Sequence, residues 1–259
     1  MKIRGFTLVE LLVVIAVIAI LMAILMPSLK LAKDQAYAAV CVSNLRTLSL
    51  GWFMYADDND GILVEGHIPR HNNPPHIWWV LAPQDENGTY TSDSPPGIFE
   101  DKLRGIRRGK LFPYVKDVDV YHCPNDRRKR DATQLAFRSY SITGGMNGED
   151  KYAFSGRAIE TYDEIKNPSI KIVFVEESDD RGWNMGSWVV NPTGDTWIDP
   201  LAPWHNKRST LGFADGHSEK HRWVDERTIR MCEEQLFGQT HPGNPDLKYM
   251  QRGYQLKPE

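Results

Sequence analysis

The stretch Arg4-Gly5-Phe6-Thr7-Leu8-Val9-Glu10 opens an apolar run that continues to Met26. Across the 21 residues from Phe6 to Met26, the only polar side chains are those of Thr7 and Glu10. As an α-helix, a segment of this length would be roughly 32 Å long, which is about the thickness of the hydrocarbon core of a bilayer. Length and composition therefore predict a transmembrane helix at residues 6–26.

The residues that flank this helix predict its orientation. Lys2 and Arg4 precede it, and positive charge beside a first transmembrane helix favours the cytoplasmic side. The following segment, Pro27-Ser28-Leu29-Lys30, lacks the small-residue cleavage site of a secretory signal peptide. We therefore expect a single-pass protein of the inner (cytoplasmic) membrane, with its remaining residues in the periplasm or outside the cell.

The same residues resemble the processing site of type IV prepilins and type II secretion pseudopilins. In that pattern a glycine precedes a phenylalanine, and a glutamate stands at the fifth position of the processed chain; Gly5, Phe6 and Glu10 match it. The resemblance implies that a prepilin peptidase removes residues 1–5 as a leader and methylates the new amine of Phe6. Pro27 also matches the family, in which a proline bends or loosens the first helix.

Glu10 is the unusual residue of the apolar segment, because a carboxylate is costly to place in lipid and such residues commonly have a function. The resemblance implies that Glu10 pairs with the Phe6 amine of a neighbouring subunit. This role is physically reasonable, since cleavage creates a cation at the depth of the carboxylate and pairing relieves the burial penalty of both charges. The alternative is an acid at the helix end that lies at the level of the lipid headgroups.

Apolar residues recur at helical spacing beyond the membrane segment, which predicts one helix over residues 6–56. Its amphipathic half, residues 27–56, should pack on a globular head formed by residues 57–259. The apolar stripe consists of Ala38, Cys41, Leu45, Leu48, Trp52 and Tyr55.

The acidic run Asp57-Asp58-Asn59-Asp60-Gly61 should end this helix, because these residues favour caps and turns. The run resembles part of an EF-hand loop. However, Ala56 and His67 occupy the positions of the first ligand and of the bidentate carboxylate, so calcium is the disfavoured alternative.

The head is expected to be an α+β domain built on an antiparallel sheet. Residues 66–110 form a loop-rich insertion, in which Trp78 and Trp79 should anchor the loop to the core; the alternative is a ligand-stacking site. Asp215-Gly216 is a strong signal for a two-residue β-hairpin turn. Other patterns predict strands at 118–124, 139–142 and 170–175, a short helix at 226–236 and an extended tail at 239–259.

His205 and Asp215 are separated by nine residues, and Gly216 follows Asp215. This spacing resembles the H-X9-DG region of a large group of prepilin-like proteins. We interpret His205 as a hydrogen-bonding partner of Asp215 or of the turn backbone. His217 and His221 add metal-type donors, but no open-site geometry follows from them, so no bound metal is expected. Further segments that match the same group are Cys41–Arg46, Tyr55–Gly61, Tyr121–Pro124 and Val175–Glu177.

Three cysteines allow one disulfide with one thiol left over in an oxidising compartment. We predict a bridge between Cys41 and Cys123, with Cys232 free. Cys41 lies on the core-facing stripe of the first helix, and Cys123 ends a predicted strand that should pack on that helix, so the two could approach bonding distance. The alternative is a pair of buried free thiols.

Composition limits the class of function. The chain has 259 residues and a formal net charge of −3; without the leader, 29 basic side chains face 34 acidic ones, a net charge of −5. No nucleic-acid partner is expected, and the basic runs at 104–110 and 127–130 are interpreted as solvated loops. About 200 residues follow the first helix, enough for one sizeable core.

The predicted function is structural. The sequence lacks a phosphate-binding loop, a G-x-S-x-G elbow and an H-E-x-x-H helix, so neither an enzyme nor a cofactor is expected. The resemblance implies a subunit of a type IV pilus-like filament or a type II secretion pseudopilus, with prepilin peptidase and other subunits as partners. The alternative is a membrane-tethered protein that binds a carbohydrate or other extracellular ligand through Trp78-Trp79 and Trp204-His205.

Overall fold

The computed structural model describes residues 8–69, 75, 77–91, 98–126, 128, 136–151, 157–178 and 186–257. Within these residues the chain has the expected α+β fold, in which a long N-terminal apolar helix precedes a head with a four-stranded antiparallel sheet, a pilin-like arrangement. The helices are α1 (Leu8–Asp58), α2 (Phe99–Arg107), α3 (Phe112–Val115), α4 (Glu226–Glu233) and α5 (Pro245–Gly253). The strands are β1 (Tyr140–Ile142), β2 (Ile172–Glu176), β3 (Arg208–Phe213) and β4 (Ser218–Arg222).

Helix α1 contains 51 residues and is therefore roughly 77 Å long. It is long and apolar enough to cross a bilayer, and its most apolar segment is not buried in the protein. Burial begins at Ala38, and Tyr55 of the predicted stripe is half-buried. The buried residues of α1 are Ala38, Cys41, Leu45, Leu48, Ser49, Gly51, Trp52 and Ala56.

The acidic run ends α1, as predicted. The carbonyls of the last helical turn have no N–H partner four residues later within the helix. The Ala56 carbonyl accepts hydrogen bonds from the Asn59 N–H at 3.1 Å and from the Gly61 N–H at 2.9 Å. Gly61 has a φ of +78°, a conformation that glycine adopts without strain. The chain thereby leaves the helix axis and enters the head.

The four strands follow the order β1-β2-β3-β4, and every neighbouring pair is antiparallel. The predicted β3–β4 hairpin is present, but its turn is longer than the predicted two residues. The Phe213 N–H donates a 2.9 Å hydrogen bond to the His217 carbonyl, so Ala214, Asp215 and Gly216 all lie in the turn. Of these three residues, Gly216 has a positive φ, of +88°. The register between β2 and β3 shifts between Ile172 and Phe174, which marks a bulge. Because a bulge interrupts side-chain alternation, the adjacent residues Val173 and Phe174 both face the same hydrophobic core.

The sheet separates two hydrophobic cores. Helix α1 packs against β2, β3 and β4, and its buried stripe joins a core that contains Trp79 and Phe174. The second core contains Trp188, Trp197 and Trp223 and is covered by residues of α4 and α5. The C-terminal half of α1 therefore packs on the head, and the exposed N-terminal half extends beyond it.

One predicted strand was wrong, and one helix was not predicted. The predicted strand at 118–124 contains a 3-10 turn at Asp119–Tyr121, because local hydrogen bonds such as Tyr121 N–H to Val118 O replace strand pairing. The insertion at 66–110 ends in helix α2, which sequence analysis missed because five of its nine residues are charged. Leu103 and Ile106 supply its buried apolar face.

The tail was also wrongly predicted to be extended, because it contains helix α5. The Asn244 side chain accepts a 2.9 Å hydrogen bond from the Leu247 N–H, and Pro245 occupies the first turn. Asparagine at the N-cap followed by proline is a helix-start signal. Leu247 and Met250 then bury the apolar face of α5 in the second core.

Gly212→Ala is expected to destabilise the head by about 1–3 kcal/mol through overpacking. A Cβ at Gly212 would lie 2.6 Å from Ser49 Oγ and 3.3 Å from Phe174 Cβ, because β3 passes directly beneath α1. Thermal unfolding of the detergent-solubilised full-length protein, followed by circular dichroism, measures the loss.

Ser49→Ala provides the matched control. Within the described part of the chain, the Ser49 hydroxyl is buried without a hydrogen-bond partner, so its removal alone should have little effect. In the Gly212→Ala background it removes the nearest obstructing atom and should restore most of the stability. An unfolding midpoint that does not change with Gly212→Ala would contradict this close helix–strand approach.

Candidate functional site

The first candidate site is the apolar surface of the N-terminal half of α1. It carries seventeen large apolar side chains, each at least 45% exposed. They are Leu8, Val9, Leu11, Leu12, Val13, Val14, Ile15, Val17, Ile18, Ile20, Leu21, Met22, Ile24, Leu25, Met26, Leu29 and Leu31. This surface has the length and composition of a membrane-spanning segment.

The residues expected to act in processing and assembly lie on or before this helix. Gly5 and Phe6 fall outside the described residues. Glu10 lies in the first described turn of α1, among exposed apolar side chains. The helix continues through Pro27, whose ring has no N–H to donate to the carbonyl four residues earlier, so the helix lacks one backbone hydrogen bond there.

The H-X9-DG residues occupy two different environments. Asp215 is in the exposed hairpin turn, where its carboxylate accepts a 3.1 Å hydrogen bond from the His217 N–H. His205 is buried, and its Nε2 lies 2.9 Å from Oε1 of Glu176. The interpretation that His205 bonds Asp215 or the turn backbone is therefore corrected, because its side-chain partner is a carboxylate at the end of β2.

His205 belongs to a buried group of four metal-type donors, which we call the interior cluster. The two cysteine sulfurs are 3.0 Å apart, and the Cys123 sulfur lies 3.4 Å from His205 Nε2. One ligand atom from each residue lies within 4.8 Å of the other three. The interior cluster consists of Cys41, Cys123, Glu176 and His205.

Four separate parts of the fold supply the interior cluster. Cys41 comes from α1, and Cys123 follows the 3-10 turn after α3. Glu176 is the last residue of β2, and His205 precedes β3. Cys41, Cys123 and His205 were predicted site residues, whereas Glu176 was noted only as part of the matching segment Val175–Glu177. An acid that ends an otherwise apolar strand was the available signal for its role.

The charges in the interior cluster stabilise one another. Burial alone would lower the pKa of His205, but the Glu176 carboxylate and hydrogen bonding with Cys41 outweigh it and raise that pKa to about 10. Hydrogen bonding with Cys123 lowers the pKa of Cys41, whereas burial raises the pKa of Cys123 well above its usual value. Without a bound ion, Glu176 thus favours the protonated form of the His205 imidazole, and Cys41 is the more acidic of the two thiols.

The structure brings Cys41 and Cys123 together, as expected, and leaves Cys232 in the second core. Both cysteines of the pair are free thiols in this structure, with their sulfurs about 1 Å farther apart than in a disulfide. The Cys41–Cys123 bridge therefore stays a prediction.

The tryptophans of the insertion anchor it to the core. Trp79 is fully buried, with its ring centroid 5.9 Å from that of Tyr121 and 5.5 Å from that of Phe174. Trp78 and Trp204 are also buried. Their faces are covered by protein, so they do not form an open platform on which a sugar ring could stack.

Three arginines of the basic runs form ion pairs with acidic side chains of the same protein. Arg128 is buried and pairs with Asp126 at 2.5 Å, so the solvated-loop interpretation was wrong for this residue. Burial alone would raise the pKa of Asp126, but Arg128 outweighs it and holds that pKa below its usual value. In the other run, the ion pairs are Arg104 with Asp101 and Arg107 with Glu100.

Comparison with known proteins identifies the N-terminal segment. Residues 1–26 match the family described as Prokaryotic N-terminal methylation motif. No curated protein and no solved structure matches the chain. The matched motif indicates a precursor of the type IV pilin or pseudopilin kind, and the exposed apolar half of α1 is consistent with anchoring in a membrane.

Proposed function

We propose that this protein is a structural subunit of a type IV pilus-like filament or a type II secretion pseudopilus, without a catalytic role. Prepilin peptidase cuts between Gly5 and Phe6 and methylates the new amine. The mature chain then stays in the inner membrane through α1, with its head in the periplasm or outside, until it joins other subunits.

The exposed apolar surface of α1 is the observation that carries this proposal. Seventeen large apolar side chains lie along one helix without cover from the head. Leaving them in water would cost on the order of tens of kcal/mol, which exceeds the roughly 5–15 kcal/mol by which a domain is stable. Lipid covers this surface before assembly, and neighbouring helices cover it afterwards.

The geometry of the chain favours an open assembly. The exposed part of α1 and the head are different surfaces of one subunit, so contacts between successive subunits are head-to-tail rather than two-fold symmetric. Such heterologous contacts generate a helical filament when the rotation does not close. The helices would then pack in a central bundle, and the heads would form the outer layer.

A tethered monomer that binds an extracellular ligand is the competing function. It would use the same membrane anchor but would need an accessible recognition surface. Trp79 is fully buried, and Trp78 and Trp204 are nearly so, which removes the stacking platform that motivated this alternative. The filament proposal therefore has the stronger physical support.

Filaments sheared from cells are expected to contain this protein, visible by electron microscopy and identifiable by mass spectrometry. Intact-mass measurement of the same material should show a chain that begins at methylated Phe6. Retention of Met1 in a host with an active prepilin peptidase would contradict the processing step. Mature protein found only as membrane-bound monomers would contradict filament assembly and favour the tethered-monomer function.

A further inference from the structure

We propose that the interior cluster binds one divalent metal ion of the zinc class. The cluster offers two sulfurs, one imidazole nitrogen and one carboxylate oxygen, all buried and within 4.8 Å of one another. These are the ligand types that zinc takes in four-coordinate protein sites, and thiolates in particular select it over magnesium or calcium. The proposal stands independently of filament assembly.

The distances suit a tetrahedral ion after small movements. With bond lengths of about 2.3 Å to sulfur and 2.0–2.2 Å to nitrogen and oxygen, such an ion separates two sulfurs by about 3.8 Å and a nitrogen from an oxygen by about 3.4 Å. The observed separations are 3.0 Å between the sulfurs and 2.9 Å between His205 Nε2 and Glu176 Oε1. Outward shifts of less than about 1 Å would bring these two pairs to the separations that an ion requires.

Neighbouring groups hold two of the donors in place. Oε2 of Glu176 accepts a 2.8 Å hydrogen bond from the Thr210 N–H, which leaves Oε1 directed at the cluster. The backbone N–H of Cys123 donates a 3.0 Å hydrogen bond to Ser139 Oγ. Ligand side chains in metal sites are commonly oriented by such outer hydrogen bonds.

The site would be structural rather than catalytic. Four protein ligands fill a tetrahedral shell, and the burial of all four residues leaves no open position for water or substrate. Since Cys41 is on α1 while the other ligands come from the head, a bound ion would join the membrane-anchored helix to the head. Such a joint would stabilise the attachment of α1 to the head, whether or not the protein assembles.

The Cys41–Cys123 disulfide is the competing state of the same residues. Zinc binds thiolates, so oxidation of the pair and metal binding exclude each other. A disulfide would use two of the four donors and would give no chemical reason for Glu176 and His205 to converge on the sulfurs. The convergence of all four donors favours the metal.

Metal content of the full-length protein tests the proposal. Protein is extracted in detergent from native membranes without chelator or reductant and analysed by inductively coupled plasma mass spectrometry. We expect about one zinc per chain, and loss of most of it in Cys123→Ser and in His205→Gln. Cys232→Ser is the matched control, because Cys232 is equally buried but lies in the second core, and it should keep the full zinc content.

A second measurement covers the case in which the ligand variants fail to fold. Wild-type protein exchanged with cobalt should show thiolate-to-cobalt charge-transfer absorption, and a chelator should remove this absorption and lower the unfolding temperature. Non-reducing peptide mapping of the native protein completes the test. A Cys41–Cys123 disulfide, two free thiols without metal, or zinc that persists in both ligand variants would each overturn the proposal.

Discussion

Glu10→Leu protein is expected to insert into the membrane and to be processed, but to fail in filament assembly. Insertion should be at least as good as in the wild type, because the substitution removes the penalty of at most a few kcal/mol for a carboxylate near the helix end. Assembly should fail because the Phe6 amine of a neighbouring subunit would enter the apolar helix bundle without its anion. A buried charge that loses its partner costs about 3–5 kcal/mol, which corresponds to roughly a hundredfold or greater loss of association.

The measurement compares membrane fractions with sheared filaments by quantitative immunoblotting. Glu10→Gln tests the charge alone, since it keeps the shape of the side chain, and it should show the same assembly defect. Val14→Leu, an apolar exchange on the same exposed helix, is the matched control and should assemble normally. If Glu10→Leu protein gave the wild-type yield of filaments, Glu10 would have no pairing role, and the filament proposal would still hold.

Gly5→Arg protein is expected to stay uncut, with residues 1–5 still attached in the membrane. In the proposed processing step the peptidase cuts directly after this glycine, which lies within the matched motif. A long charged side chain there should prevent the backbone from entering the active site of the peptidase. Without cleavage, no new amine forms at Phe6, so neither methylation nor pairing with Glu10 can follow. We expect complete loss of the processed form and of filaments.

Intact-mass analysis of the membrane fraction distinguishes uncut from processed protein directly. Ile3→Val changes the same leader away from the cleaved bond and should be processed like the wild type. A processed and methylated chain from Gly5→Arg would place the cleavage elsewhere and would contradict the assignment of the leader. Uncut protein that still assembles would instead show that filament formation does not require cleavage.

Patterns among residues that are close together in the sequence predicted much of the fold. The 21 residues from Phe6 to Met26, of which only Thr7 and Glu10 are polar, predicted a helix with the length and composition of a membrane span. The stripe from Ala38 to Trp52 predicted the face that packs on the head. Asp215-Gly216 indicated the position of the hairpin, although the turn also includes Ala214 and is therefore longer than predicted. In each case the signal and the structure it specifies lie within the same short segment.

Local patterns failed where packing or capping decided the conformation. The alternation at 118–124 is typical of a strand, but no neighbouring strand pairs with it among the described residues, and local hydrogen bonds produce a 3-10 turn. The only local signal for helix α5 was the short capping pattern Asn244-Pro245 within a polar tail. The helix is stabilised by its apolar face, which packs in the second core, and the local sequence does not show this contact.

The sequence by itself determined the membrane helix, the match to the processing motif and the positions of the main strands, because each depends on the order of adjacent residues. Only the tertiary structure decided that His205 contacts Glu176 rather than Asp215, and that both lie beside the two cysteine sulfurs. Successive donors are 29 to 82 residues apart along the chain. Their convergence depends on how α1, β2 and the loop before β3 pack around one interior, and no local pattern in the chain encodes that packing.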